Sequence, residues 1–195
     1  MATLCLATAC LAGCGEAEVP QIIESSTLVV AGKGQVTAHL VEDFEKSYYD
    51  LSELTAMATE EAAEYNATRG LEGADAVTVE TVEPVSGSRV RLCYQMDSCE
   101  TYEAFGLGTL FYGKVSEAVE KGLTDGALLK SVKDEALMDE EQLAQTGDRM
   151  ILIADAAADI YCPKKVTHVS EGASVNGDGS VKNSEEGRKI FILMK

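Results

Sequence analysis

The chain has 195 residues, with 16 Lys and Arg against 33 Asp and Glu, so its formal net charge is −17. Such an acidic chain is a poor partner for nucleic acid and for anionic lipid surfaces. Its length suits one domain and is too short for the two-lobed clamshell of transporter-associated solute receptors. A chain of this size buries roughly 70% of its unfolded surface, so it needs no metal, cofactor or disulfide to fold.

The N-terminal residues predict a secretory signal that ends at a cysteine. Residues 3–13 are uncharged and apolar, and they are fewer than the ~20 apolar residues that a membrane-spanning helix needs. They end in Leu11-Ala12-Gly13-Cys14, which resembles the lipobox of bacterial lipoproteins. In that family the cysteine thiol receives a diacylglycerol and the chain is cleaved just before it. The resemblance implies that Cys14 is the lipidated first residue of a mature protein on the outer face of the cell membrane.

One observation keeps an alternative open for this segment. Secretory signals begin with basic residues, yet no Lys or Arg precedes the apolar run. The alternative is an ordinary apolar N-terminus that packs as a helix.

The domain organisation rests on these predictions. Residues 1–13 are the signal, and residues 14–25 form a tether that is small, acidic and Pro-containing at its start, a composition typical of flexible chain. Residues 26–195 form one globular domain. The alternative is two packed halves, at 26–106 and 107–195.

Alternating and β-branched residues predict four strands in the first half of the domain, at 27–31, 35–41, 76–83 and 89–96. The first two form a hairpin around Gly32-Lys33-Gly34. Between the pairs, Asp50 is a good N-cap, and Glu53 has the capping-box spacing. Helical spacing then places one group on a single face: Leu51, Leu54, Ala58, Ala62 and Tyr65. This ββαββ half predicts a sheet covered by a helix that ends at Gly70.

The second half alternates short helices with short strands. Helices are predicted at 98–105, 115–121 and 139–145, where Ser98 and Asp139 are N-caps. Strands are predicted at 127–132, 149–154, 160–169 and 189–194, and residues 107–112 form a strand or a loop edge. Pro163 restricts the strand at 160–169 to an edge or a bulge. Asn-Gly and Asp-Gly dipeptides predict a hairpin within 174–180. The predicted class is α+β, with a mostly antiparallel sheet and short helices packed on one face.

Four side chains are the candidates for chemistry: His39, Cys93, Cys162 and His168. Cysteine catalysis needs an adjacent base. Cys162 and His168 are six residues apart, about 20 Å on an extended strand, so they meet only if Pro163 folds the segment back. His39 and Cys93 meet only if their strands are neighbours. No motif supports either pair, so we predict no catalytic residues.

The remaining motifs are weak. Cys93 and Cys99 lack zinc spacing, although a local disulfide between them stays open. Asn176 to Ser180 begins like a calcium loop but lacks the later Gly and Glu, and Gly32-x-Gly34 lacks the third glycine of a dinucleotide fingerprint. We therefore predict no metal site and no cofactor.

Charge is unevenly distributed along the chain. Residues 160–195 contain six basic residues against four acidic ones, whereas residues 1–159 contain 10 against 29. The simplest expectation is that the basic residues lie against the acidic remainder of the same fold. A contact with an anionic wall polymer is the alternative.

The stretches VEDFEKSYYDLSEL (41–54) and TLFYG (109–113), together with the lipobox and the acidic tether, resemble uncharacterised lipoproteins of clostridial-type gut bacteria. The resemblance implies a location and no activity. Our first hypothesis is an accessory module that binds an envelope protein or a wall polymer. The alternatives are an envelope hydrolase that uses a thiol or a carboxylate, and a small solute or ion sensor.

Overall fold

The computed structural model describes residues 19–45, 50–69 and 75–195. The predicted signal, Cys14, the first part of the tether and Gly70 lie outside these residues. None of the helices in the described ranges combines the length and the apolarity that crossing a membrane requires.

In the described ranges the chain forms four helices and thirteen strands, which confirms the α+β class. The helices are α1 (Leu51–Arg69), α2 (Cys99–Ala104), α3 (Val115–Glu120) and α4 (Glu140–Ala144).

Two sheets contain all of these strands. Sheet A has the order β11 (Ala173–Val175), β12 (Val181–Asn183), β9 (Asp159–Tyr161), β1 (Thr27–Val30), β2 (Val36–Asp43), β4 (Arg89–Met96) and β3 (Val77–Pro84). Sheet B has the order β5 (Leu110–Lys114), β8 (Met150–Ala154), β13 (Ile190–Met194), β10 (Val166–Ser170), β6 (Leu129–Ser131) and β7 (Leu137–Met138). Neighbouring strands are antiparallel except for β1 and β9, which pair in parallel.

The first half folds as the predicted ββαββ unit. Asp50 caps α1, because its carboxylate accepts hydrogen bonds from the backbone N–H groups of Ser52 (2.7 Å) and Glu53 (3.1 Å). These bonds, together with one from the Ser52 hydroxyl, stabilise the charged form and hold the pKa of Asp50 below its usual value. Ala58 and Ala62 are the two buried residues of α1, so small side chains let the helix approach the sheet closely.

The molecule is layered. Sheets A and B face each other across the main core, to which Leu28 and Val36 contribute from one sheet and Leu152 and Ile192 from the other. On its other face sheet B packs against α3 and α4, where Leu143 is fully buried. The central strand β13 is therefore buried on both faces, which explains its continuous apolar run.

One predicted strand is wrong. Residues 160–169 do not form a single strand: β9 ends at Tyr161 in sheet A, and β10 begins at Val166 in sheet B. Pro163 lies in the connection. Because proline has no backbone N–H and a fixed φ, it interrupts the ladder, and the chain crosses from one sheet to the other.

Both halves of the domain contribute to sheet A. Strands β9, β11 and β12 come from residues beyond 107, and they extend the sheet formed by β1 to β4. The polar N-G-D-G turn joins β11 to β12, as predicted.

Candidate functional site

His39 and Cys93 lie directly opposite each other, because β2 and β4 are neighbours in sheet A. The protonation states of the two side chains do not suit catalysis. Burial raises the pKa of the Cys93 thiol to about 11, and burial together with the nearby Arg91 lowers the pKa of His39 to about 4. Nδ1 of His39 is buried and has no hydrogen-bond partner among the described residues. At neutral pH the pair is a neutral thiol beside a neutral imidazole, so Cys93 is not activated as a nucleophile.

Cys162 and His168 are not brought together by a fold-back within one strand. Cys162 follows β9 in sheet A and is buried in the main core, whereas His168 belongs to β10 in sheet B. Burial raises the pKa of Cys162 to about 12. This thiol is therefore protonated and inaccessible at neutral pH.

The local disulfide does not form. Cys93, Cys99 and Cys162 are all free. Cys99 lies in α2, where its Sγ is 3.6 Å from the carbonyl oxygen of Gly34, and it packs in the core between the sheets. Cys93 projects from the opposite face of β4 to the core residues Tyr94 and Met96.

Three aspartates of the described residues are held in their charged form. The pKa values of Asp50, Asp134 and Asp178 are shifted downward by hydrogen bonds, whereas a general acid needs a raised pKa. The Asp178 carboxylate accepts hydrogen bonds from Ser180 and from the Tyr161 hydroxyl, so the calcium-like stretch is a structural turn. Within the described residues, no group of three or more His, Cys, Asp or Glu could hold a metal ion.

A concavity of about 610 Å³ lies at one end of sheet B. Four consecutive strands of sheet B meet there, and neighbouring strands run in opposite directions. The concavity therefore lies at the starts of β8 and β10 and at the ends of β13 and β6. Val132 and Val166 contribute apolar surface to the lining. The charged and titratable side chains are Lys133, Arg149, Lys165, His168 and Lys195. We call this concavity the basic pocket.

The four cations of the basic pocket have no ion-pair partner among the described residues. No carboxylate of those residues lies within 4.0 Å of the charged nitrogens of Lys133, Arg149, Lys165 or Lys195. Outside the pocket some cations of the described residues do form ion pairs: Arg188 contacts Glu185 at 3.0 Å, and Lys114 contacts Asp148 at 3.0 Å. The basic pocket is therefore a local region of positive potential on a chain of net charge −17.

Arg149 organises one wall of the pocket. Its Nε donates to the Met194 carbonyl oxygen at 3.0 Å, and its Nη2 donates to the Thr167 hydroxyl. The Thr167 hydroxyl donates its single proton to the Leu193 carbonyl oxygen at 2.9 Å. The contact of 3.1 Å between Thr167 Oγ1 and His168 Nδ1 must then use a proton on Nδ1. His168 cannot act as a base toward this hydroxyl, so the arrangement is one of fixed binding groups.

The pKa of His168 depends on the charges in the pocket. Burial and the positive charge of Arg149 lower its pKa, and Asp134 acts weakly in the opposite direction. An anion in the pocket would oppose the effect of Arg149 and raise the pKa.

Of the pocket residues, the sequence identifies only His168 as a candidate. The basic C-terminal segment indicates the pocket only in part, because it includes Lys165 and Lys195, which line the pocket. The sequence predicts instead that the basic residues of this segment lie against acidic parts of the fold. Arg188 does so, through Glu171 and Glu185. The positions of Lys133 and Arg149 at strand ends are visible in the sequence, but their convergence depends on strand order.

Comparisons with family models, with curated proteins and with solved structures find no match to this chain.

Proposed function

We propose that this protein is a lipid-anchored extracytoplasmic binding module that holds a small organic anion in the basic pocket. The anchor part of the proposal rests on the apolar run, the lipobox-like Leu11-Ala12-Gly13-Cys14 and the acidic tether. The binding part rests on one observation, which is that four cations line one apolar concavity and none of them forms an ion pair within 4.0 Å in the described chain.

The clustering of four cations is informative because the chain as a whole is acidic. With 33 acidic residues against 16 basic ones, the protein has enough carboxylates to pair every cation. Grouping like charges without counterions is unfavourable, and a bound anion would relieve the repulsion. The apolar surface beside the charges favours an organic anion over a fully hydrated inorganic one.

Binding accounts for these residues better than hydrolysis does. The thiols of Cys93 and Cys162 are protonated at neutral pH, and the Thr167 hydroxyl donates its proton to a backbone carbonyl. A solute sensor, the other alternative, would use the same pocket, and it differs from a binding module only in transmitting a signal after ligand capture.

Titration with butyrate, followed by amide chemical shifts in NMR, tests the binding proposal. We expect saturable shifts at residues 131–133 and 165–168, with a Kd of about 1 mM, which is typical of such a small ligand. Lys165 and Lys195 are exposed, so the double variant K165Q/K195Q keeps the fold and should weaken binding about tenfold. The control is K189Q, since Lys189 is exposed and lies outside the pocket. Equal binding by both variants, or shifts scattered over the surface, would refute the proposal.

The pH dependence of butyrate binding is a second test. Because a bound anion raises the pKa of His168, binding takes up a proton and becomes tighter as pH falls from 8 to 6. We expect H168Q to lose this pH dependence and H39Q to retain it, since His39 lies in sheet A. An unchanged pH profile in H168Q would contradict the assignment.

Mass spectrometry of the protein isolated from its native host tests the anchor. We expect a mature chain that begins at Cys14 with acyl chains on it, and a C14S variant that leaves the membrane fraction. Retention of residues 1–13 without acylation would refute the anchor and leave the binding proposal standing.

A further inference from the structure

Sheet B has an exposed apolar strip next to the basic pocket. Leu128, Val132 and Leu137 are 52%, 46% and 65% exposed, although large apolar side chains are usually covered. Leu128, Lys130 and Val132 alternate along β6 and its flanks, so they share one face. Leu137 of β7 lies directly opposite Lys130 and extends the same face.

This face is the uncovered margin of the core between the sheets. Val169 of β10 is opposite Lys130 and is buried in that core. At β6 and β7, which are the last two strands of sheet B, the same face is exposed. The strip is thus an apolar surface that no part of the described chain covers.

The strip is continuous with the basic pocket. Val132 belongs to both, because it lines the concavity and forms one end of the strip. From Val132 to Leu128 the strip extends ~13 Å along the strand, at about 3.3 Å per residue. Cationic groups therefore lie at one end of an elongated apolar surface.

We propose that the ligand of the basic pocket is a single-chain amphiphile, with an anionic head group among Arg149, Lys165 and Lys195 and an alkyl chain along Val132, Leu128 and Leu137. This inference rests on the proposed binding function and specifies the class of its ligand.

The charges around the strip favour one amphiphile over an anionic bilayer. Lys130, the basic residue within the strip, is neutralised by Glu135 at 2.8 Å. Asp134 lies in the β6–β7 connection beside this neutral pair, where its charge would repel a negatively charged membrane. Binding to an anionic bilayer is favoured by basic residues along the inserted apolar surface, whereas here the cations are concentrated at one end of it.

Calorimetric titration with matched ligands tests the class. Decanoate and butyrate share a carboxylate and differ by six methylene groups, and decyltrimethylammonium has the same chain length with a positive head. All are used below their micelle concentrations. We expect decanoate to bind at least about tenfold more tightly than butyrate, because each methylene gains from partial burial, and decyltrimethylammonium to bind at least about tenfold more weakly than decanoate.

The variant L128S/L137S isolates the strip. Both residues are exposed, so the substitutions leave the core intact. We expect this variant to bind butyrate as the wild type does and to lose the preference for decanoate. The control is V119S, which removes a 40% exposed apolar side chain from α3 and should retain the preference.

Each remaining outcome distinguishes the two proposals. Binding of butyrate and decanoate with equal affinity would overturn the amphiphile and leave the anion pocket intact. Binding of neither ligand would overturn both. Equal binding of decanoate and decyltrimethylammonium would show unspecific apolar association and overturn the amphiphile. Capture by vesicles of phosphatidylglycerol without binding of free decanoate would assign the strip to membrane docking, and would overturn the inference in that way.

Discussion

His39 is the residue whose burial has the clearest consequence for stability. Burial and Arg91 lower its pKa from 6.5 to about 4. In the unfolded chain the ring keeps its ordinary pKa, so as pH falls it is protonated there first. The contribution of the neutral ring to the free energy of unfolding is therefore fully present above pH 6.5. It is lost as pH falls toward 4. After allowance for the exposed part of the ring, the loss is about 1 kcal/mol.

Urea unfolding at pH 7, 6 and 5 measures this effect. As the pH is lowered, we expect the free energy of unfolding of H39Q to decrease less than that of the wild type. H168Q should change the slope less, because solvent reaches that ring more easily. Equal slopes for H39Q and the wild type would contradict the lowered pKa.

Two glycines have positive φ, Gly108 at 118° and Gly122 at 66°. Gly122 lies in the left-handed helical region, which is unfavourable for other residues by about 1–2 kcal/mol. Gly108 lies outside that region, so backbone strain and contact with a neighbouring side chain act together there. A Cβ at Gly122 would meet nothing within 4 Å, whereas one at Gly108 would lie 2.6 Å from Oδ1 of Asp155. That oxygen accepts a hydrogen bond from the Thr109 backbone at 2.7 Å, so it cannot move without losing the bond.

We expect G122A to destabilise the protein by about 1 kcal/mol and G108A by about 2–3 kcal/mol. Chemical denaturation of both variants in parallel measures the difference. If G108A proved no more costly than G122A, the Asp155 carboxylate would be free to move.

At the scale of elements, α4 depends on its cap because it has only five residues. The Asp139 carboxylate accepts from the Gln142 backbone at 2.9 Å, and the Gln142 side chain accepts from the Asp139 backbone at 3.0 Å. Loss of such a cap costs about 1 kcal/mol. The helix places Leu143 against sheet B with no exposed surface, so weakening it also loosens the packing there.

We expect D139A to lower the free energy of unfolding by about 1 kcal/mol and D139N to be nearly neutral, since asparagine is an equally good N-cap. Thermal and urea unfolding of the two variants give the comparison. A similar loss in both would assign the role of Asp139 to its charge rather than to its hydrogen bond.

The elements that the sequence predicted well are those with local signals. Asp50, Ser98 and Asp139 cap helices because their side chains bond to their own backbone neighbours, and the N-G-D-G turn fixes its own hairpin. The error at 160–169 arose because the apolar pattern continues across Pro163 although the chain changes sheet. The parallel pairing of β1 with β9 joins residues more than 100 positions apart, and no local signal indicates it.

The basic pocket illustrates the same limit. Lys133, Arg149, Lys165 and Lys195 are each ordinary polar residues at the ends of short strands. They converge only because β8, β13, β10 and β6 are consecutive in sheet B. Sequence could identify His168 by residue type, and could place His39 opposite Cys93 only on the condition that β2 and β4 are neighbours. That condition holds, but burial suppresses the ionised forms of both groups.

Added salt affects the stability of the whole molecule in two opposite ways. A net charge of −17 produces self-repulsion in the compact state, which salt screens. Salt also weakens the ion pairs of the described chain, such as Lys114 with Asp148 and Lys130 with Glu135. These pairs are exposed, so each contributes little to stability. We therefore expect the repulsion to dominate.

Raising NaCl from 10 to 150 mM at pH 7.5 should increase the free energy of unfolding by about 1 kcal/mol, which corresponds to roughly 2–4 °C in Tm for a chain of this size. Chloride bound in the basic pocket would give the same sign, so the measurement is repeated with K165Q/K195Q. That variant is more acidic, so if screening is the cause, its free energy of unfolding should increase with salt by an equal or larger amount. If chloride binding is the cause, the increase should be smaller. A fall of Tm with salt in both proteins would mean that the surface ion pairs outweigh the excess negative charge.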